Sequence, residues 1–433
     1  MPIKTVHITN AYHRTSGGIS TFYHALLNAA NRHGRLLRLV APGDRTMVEN
    51  VGEFGRIYHV KAPHAPIFDR RYRLLLPHTY LPTFQGALRQ ILRAERPNLI
   101  EVCDKYALNW LGGIVRQRWI PGLRRPVLVG MSCERMDDNI RAFIGESRLG
   151  RRLSRFYMGN LYIPLFDYHI ANSQYTADEL CSAMVPRHER PVYVRPMGAD
   201  LEDFRSAQPS AAHRQELLAR VGGNARTRLL LYAGRLSPEK NLQLLIELME
   251  RLAQDGHGSY RLVIAGSGPL AAWFEEQARL RAPGLVWMLG HIDRRRALID
   301  LYTDCDAFVH PNPREPFGIA PLEAMAAGLP LIAPRSGGVL SYADDTNAWL
   351  ADATGEAFAA AVRAVDAETA IRQEKLGRAR ETAQRYSWES VTARFFELYD
   401  ELHADFPTTR FARKLNLRTG DPLDRERETG NSF

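Results

Sequence analysis

Two carboxylates and two cations carry the most readable chemistry in this chain of 433 residues. Glu315 and Glu323 stand eight positions apart in REPFGIAPLEAMAAGLP, and Arg235 and Lys240 stand upstream in AGRLSPEKN. A sugar nucleotide makes matching demands. Its diphosphate needs positive charge and backbone N–H groups, and its ribose and sugar hydroxyls need acceptors. Gly318 permits a tight turn and Pro321 is tolerated in a first helical turn, so a helix is predicted to start between the glutamates. Glu315 then lies in the loop and Glu323 just inside the helix. The free N–H groups near Ile319 and Ala320 would face a phosphate, which the helix dipole also favours. Taken singly, the glutamates also read as a solvated helix end and the two cations as surface charges. Their joint order, each at a strand-to-loop junction, is what points to a site.

This order resembles the retaining glycosyltransferases of the GT-B fold, specifically the large family 4, whose acidic signature is E-x7-E. The phrases SGGIS, ANSQYTADEL, RPMGADLEDF, VIAGSGPL and RYSWE follow in the family's sequence, so the resemblance covers residues 3–405. It implies that Arg235 and Lys240, after Gly234, bind the diphosphate and act in catalysis with Glu315, which holds the sugar hydroxyls. Glu323 would bond the ribose, and Phe317, Gly318, Ile319 and Ala320 would complete the donor site. Gly17 and Gly18 match the glycine loop that closes over the donor, and Gly337-Gly338 reads as a similar backbone element. One departure stands out: the family's usual histidine is replaced by Ser132, which leaves Ser132, Glu134 and Arg135 as candidate sugar or acceptor contacts. A polar loop after a strand is the alternative reading of those three.

The elements that must position these residues alternate short apolar runs with helical patterns, as in parallel sheets covered by helices. KTVHIT, RLLRLVAP, NLIEVCD, PVLVGMS and YHIANS read as strands of a first domain; RLLLYAG, YRLVIAG, LVWMLG, AFVHP and PLIA read as strands of a second. The fold class expected is α/β: two Rossmann-like, doubly wound parallel-sheet domains facing a cleft. The boundaries expected are 1–203 for acceptor binding, 204–385 for nucleotide-sugar binding, 386–405 for a helix crossing back to the first domain, and 406–433 for a charged tail.

Residues 1–200 hold 28 Lys+Arg against 16 Asp+Glu, whereas residues 201–433 hold 29 against 32. The basic excess therefore lies in the first half, where it suits an acidic acceptor or an anionic membrane surface. Its sharpest case is SRLGRRLSRFY, where Arg148, Arg151, Arg152 and Arg155 share one helical face and Leu149, Leu153 and Phe156 another. An ordinary helix packing its leucines on the domain core is the competing reading. No run of about 18 apolar residues offers a membrane span, and no secretion signal is seen. Four cysteines without C-x-x-C pairing fit a reducing cytoplasm, with attachment to the inner face of a membrane as an extension.

Several motifs are set aside. Asp304-Cys305-Asp306 spells D-x-D but reads as a helix-to-strand turn, and the histidines lack metal spacing, so no metal and no cofactor are expected. Gly266-Ser267-Gly268-Pro269-Leu270-Ala271 copies G-x-G-x-x-A, but no acidic residue ends the next strand. The function expected is retaining transfer of a hexose (mannose, glucose or galactose) from a nucleoside-diphosphate sugar to a lipid, lipid-linked glycan or polysaccharide acceptor. Nucleic acid is not expected as a partner. A non-catalytic nucleotide- or carbohydrate-binding protein of the same fold, or a dinucleotide-dependent oxidoreductase, are the alternatives.

Overall fold

The computed structural model describes residues 3–12, 17–65, 73–81, 86–254, 260–367 and 369–409. The chain divides into two compact units. The first takes in Met1–Arg141, Gly145–Met197 and Trp388–Phe433, and the second Gly198–Ser387 with Ala142–Ile144.

In the first unit, eight strands form one sheet: β1 (Lys4–Thr9), β2 (Leu36–Gly43), β3 (Met47–Val51), β4 (Gly55–Lys61), β5 (Leu99–Cys103), β6 (Val127–Ser132), β7 (Tyr168–Ala171) and β8 (Val192–Val194). Their order is β3-β4-β2-β1-β5-β6-β7-β8, parallel except for the β3–β4 pair. In the second unit six strands, β9 (Arg228–Ala233), β10 (Tyr260–Ala265), β11 (Val286–Gly290), β12 (Ala307–Val309), β13 (Leu331–Pro334) and β14 (Trp349–Ala351), run in the order β11-β10-β9-β12-β13-β14. All of its pairings are parallel. The continuous apolar runs have a physical cause, because helices cover both faces of a parallel sheet and every side chain of a central strand is buried. Leu229, Leu230 and Leu231 of β9 are at most 1% exposed. The helix Gln243–Gln254 buries Leu244, Leu245, Leu248, Met249 and Leu252 against this core, the spacing of a helix with one apolar face.

The helix Trp388–Thr409 belongs to the first unit and runs past residue 405; the tail beyond residue 409 lies outside the described residues. Its Phe395 packs on Phe22 at a centroid distance of 4.9 Å. Its Tyr399 hydroxyl donates to Glu101 Oε2 at 2.7 Å. Glu101 is wholly buried on β5 and also accepts from Tyr23 (3.0 Å) and meets His7 Nδ1 (2.9 Å). Burial alone would raise the Glu101 pKa, but His7 and the two tyrosines reverse that, and the net shift is downward.

The structure places the change of unit at Gly198, six residues before the domain start read from sequence. Strands β3, β4, β8 and β14 are additional to those read from sequence. β3 is exposed along nearly its whole length and has no apolar pattern, while β8 and β14 have three residues each.

Candidate functional site

In the second sheet the chain order reverses between β9 and β12, the kind of switch point at whose carboxyl-end loops such sheets bind their ligands. Arg235 and Lys240 follow β9; His310 and Glu315 follow β12. The β9 loop rests on the GSGPLA segment. Gly234 N–H donates to Ala265 O at 3.0 Å, Leu236 N–H to Ser267 O at 3.0 Å, and Leu270 N–H to Leu236 O at 2.9 Å. A Cβ on Gly266 would stand 1.9 Å from Gly234 O, and one on Gly268 would stand 2.3 Å from Leu236 O. These glycines admit main chain where a dinucleotide loop would admit pyrophosphate, which removes the support for the oxidoreductase alternative.

Beyond Arg235, whose carbonyl accepts from the Tyr232 hydroxyl at 3.0 Å, a single turn at Pro238–Lys240 presents the lysine. Asn241 leaves that turn in the left-handed region (φ 52°), and its Nδ2 donates to Pro311 O at 2.9 Å, joining the two loops. Lys240 Nζ then donates to Glu315 Oε2 at 2.8 Å. Asn312 Nδ2 donates to the same oxygen at 3.2 Å, and His310 Nε2 lies 4.0 Å from it. Burial alone would lower the Lys240 pKa and raise that of Glu315. Their mutual attraction outweighs both, so the ammonium is shifted up and the carboxylate down, and both are charged at neutral pH. His310 is shifted the other way, to about 4, chiefly by burial, and is neutral there.

The turn carrying Glu315 is braced from a second loop. Gly318 sits at φ 86° and Gly337 at φ 85°, conformations that suit glycine. Gly338 N–H donates to Glu315 O at 2.6 Å, and a Cβ on Gly338 would lie 1.9 Å from Pro316 O. The Tyr342 hydroxyl bonds Phe317 O and Gly318 O at 3.0 and 2.6 Å. Gly337-Gly338, read from sequence as a site element, supports the Glu315 turn from behind.

The helix starts at Ile319, with Gly318 as its cap, and runs to Ala327, so Glu323 lies in its second turn. The Tyr302 hydroxyl donates to Glu323 Oε2 at 3.1 Å. Burial raises the Glu323 pKa to about 7, and the Tyr302 bond and Arg295 only partly oppose it. The arrangement thus offers cationic groups, helix-start N–H groups and two carboxylates of different proton affinity at one sheet edge.

In the first unit a cavity of about 170 Å³ opens at the corresponding chain reversal between β1 and β5, lined in part by Asn10, Ile19, Lys105, Tyr106, Cys133 and Glu134. Gly17 caps the helix Gly18–Arg32 at φ −77°, and a Cβ there would meet nothing within 4 Å, so local packing does not demand glycine. Ser132 is fully buried and donates from Oγ to Glu134 O at 3.3 Å, so its side chain does not reach the cavity surface. Its hydroxyl closes the turn after β6. Arg135 forms a fork with Asp137 (2.9 and 2.6 Å) and stacks over Tyr175. Of the three candidates after β6, Glu134 alone lines the cavity, and burial raises its pKa despite Lys105 nearby. In D-x-D, Asp304 receives Ser210 N–H and Asp306 receives Arg214 and Leu229 N–H, so both carboxylates serve the fold. Among the described residues no cluster of side chains forms a metal site.

Comparison with known proteins gives two family matches: Glycosyltransferase Family 4 over residues 16–203 and Glycosyl transferases group 1 over residues 214–384. The chain belongs to the family 4, group 1 glycosyltransferases. It is 28% identical to the GDP-mannose-dependent alpha-(1-6)-phosphatidylinositol dimannoside mannosyltransferase of Mycobacterium tuberculosis, over 98% of this chain and 100% of the relative. The D-inositol 3-phosphate glycosyltransferase of Xylanimonas cellulosilytica is 30% identical over 54% of this chain and 56% of its own. Among solved structures, the sucrose-phosphate synthase of Thermosynechococcus elongatus superposes with a TM-score of 0.71 at 19% identity, covering 93% of this chain and 99% of the other. WaaG, a glycosyltransferase of lipopolysaccharide biosynthesis, gives 0.62 at 14%, covering 91% and 99%. The fold is GT-B, and the chain is a glycosyltransferase. Among the described residues no helix is long and apolar enough to cross a membrane.

Proposed function

We propose that this glycosyltransferase moves a hexose, with retention of configuration, from a nucleoside-diphosphate sugar to a lipid-borne or glycan acceptor at an anionic membrane surface. The observation that carries the reading is the Lys240–Glu315 pair at the switch point of the second sheet, a cation and a carboxylate held 2.8 Å apart at the edge where ligands of such sheets bind. In this reading Lys240 and Arg235 take the diphosphate together with the Ile319 and Ala320 N–H groups, while Gly234, Phe317 and Gly318 shape the turns around it. Glu323 accepts from the ribose, and Glu315 accepts from hydroxyls of the sugar and favours the oxocarbenium character that develops as the glycosidic C–O bond breaks. Negative charge growing on the leaving phosphate is offset by the two cations, and that phosphate takes the acceptor's proton. Gly17 and Gly18 contact the donor, and Glu134 faces the acceptor.

A mannosyl donor is supported by the relative that matches over nearly the whole chain, whose name specifies GDP-mannose and a phosphatidylinositol glycolipid. The membrane is supported by the helix Arg148–Tyr157. Leu149, Leu153 and Phe156, at positions i, i+4 and i+7, are 66%, 57% and 60% exposed, and Ser154 is the residue this helix buries. The leucines do not pack on the core, so the ordinary surface-helix alternative has no support. An exposed apolar stripe beside four exposed arginines fits an anionic lipid interface. In this reading the surface meets the cytoplasmic leaflet, and the protein is a peripheral membrane protein of the cytoplasm. The test is transfer of labelled hexose from GDP-mannose, UDP-glucose and UDP-galactose to a bacterial glycolipid extract, with the product anomer assigned by NMR. Labelled glycolipid with the donor's own anomeric configuration is expected. An inverted product, or no lipid-phase label with any donor, would overturn the reading.

A further inference from the structure

His310 is 6% exposed, and its Nε2 is a buried nitrogen without a hydrogen-bond partner. It stands 4.0 Å from Glu315 Oε2, the oxygen already bonded by Lys240 at 2.8 Å and Asn312 at 3.2 Å. A buried ring nitrogen left unsatisfied is unfavourable, and native structures seldom keep one without a use. Its neighbour explains the use. In the reading above, Lys240 has two claims on it: the carboxylate it now bonds and the diphosphate of the donor. Once the ammonium turns to phosphate, Glu315 Oε2 keeps the neutral Asn312 amide alone, and a buried carboxylate short of donors loses both its fixed orientation and its favourable ionisation. The imidazole is already in place. A shift of about 1 Å brings Nε2 from 4.0 Å to ordinary hydrogen-bond distance.

We propose that His310 is the reserve partner of Glu315: its ring, held through the other nitrogen at the Asn312 backbone, takes a proton from solvent at Nε2 and bonds Glu315 Oε2 when Lys240 moves to the donor diphosphate, and so keeps the carboxylate paired and aimed at the transferred sugar. His310 is thus a positioning residue, acting on the sugar through Glu315. The proposal rests on the nucleotide-sugar reading for what draws Lys240 away, but the exchange itself is a property of the chain.

Two measurements test it. The first needs no ligand and uses a thermal double-mutant cycle between Lys240→Met and His310→Asn, with His310→Gln as control, since a glutamine amide reaches the place of Nε2 and an asparagine amide that of Nδ1. His310→Asn is expected to lower Tm at least twice as far in the Lys240→Met background as in the parent, and His310→Gln to restore most of the difference. Additive losses would overturn the proposal. The second is steady-state turnover of GDP-mannose, UDP-glucose and UDP-galactose. His310→Asn is expected to lower kcat at least tenfold with KM within about twofold, and His310→Gln to return to within about threefold of the parent. Asn and Gln variants that are equal in kcat, or that lose affinity for the plain nucleoside to the same extent, would reduce His310 to a packing role and refute the assignment. Thermal coupling without any effect on turnover would sink the nucleotide-sugar reading and the sugar-aiming role that rests on it.

Discussion

Glu323 carries the most quantitative expectation. Burial raises its pKa to about 7, yet a carboxylate that accepts from two ribose hydroxyls must be ionised, so nucleoside binding should expel a proton. At pH 6 about a tenth of a group with that pKa is ionised and at pH 8 about nine tenths, so affinity for the plain nucleoside should rise about ninefold across that interval, or about 1.3 kcal/mol. Nucleosides are the right probe because the terminal phosphate of a nucleotide titrates in the same range. Calorimetry with guanosine and uridine at pH 6, 7 and 8 reads this directly. Glu323→Gln should bind weakly and show no rise. Tyr302→Phe removes a bond that holds the pKa down and should move the midpoint of the rise to higher pH. The ligand-free protein supplies the opposite sign: the folded pKa is above the unfolded value of 4.5, so this group's contribution to stability is full below pH 4.5 and lost as pH climbs through about 7. Affinity that is flat or falling between pH 6 and 8, or a Glu323→Gln variant that tracks the parent, would refute the ribose assignment.

Lys240→Ala should stay folded but lose a factor on the order of 10² to 10³ in turnover, measured by release of nucleoside diphosphate, since one preorganised charge is removed. Transfer should persist in EDTA, and loss on chelation restored by Mg²⁺ would contradict the assignment of the diphosphate charge to Arg235 and Lys240. Binding to anionic vesicles should fall with salt and weaken on changing Leu149, Leu153 and Phe156 to Ser, and again on changing Arg148, Arg151, Arg152 and Arg155 to Ser, each arginine contributing about 1 kcal/mol; sedimentation of both variants like the parent would remove the membrane role. Tyr399→Phe should lower stability in urea melts by about 1–3 kcal/mol, because it takes one donor from the buried Glu101 carboxylate.

Much of this was legible in the sequence because charge and strand periodicity leave direct traces. Arg235, Lys240 and Glu315 could be placed after strand ends, and Glu323 in the helix that follows, from the apolar runs ahead of them, and the structure puts Lys240 and Glu315 in contact. The glycines were less legible. Gly266 and Gly268 look like a phosphate loop, but a one-dimensional pattern cannot show that the main chain of Gly234 and Leu236 fills the space above them. Ser132 drew attention as the replacement for a histidine, whereas its burial depends on how the chain turns after β6. The amphipathic pattern of the helix Arg148–Tyr157 was visible, but a stripe of leucines has the same spacing whether it meets a core or open solvent; only the fold shows it exposed. The state of His310 leaves no trace in the sequence for the same reason, since an unsatisfied ring nitrogen is a fact of packing.

The central claim, that the second unit grips a nucleoside diphosphate through Lys240 beside Glu315, is tested most directly by comparing the affinities of a nucleoside diphosphate and its nucleoside, by calorimetry, for the parent and for Lys240→Ala. Charged hydrogen bonds contribute about 1.5–3 kcal/mol, so the preference of the parent for GDP over guanosine, or for UDP over uridine, should shrink roughly 10- to 100-fold in Lys240→Ala while nucleoside affinity holds. An unchanged preference in Lys240→Ala would contradict the account.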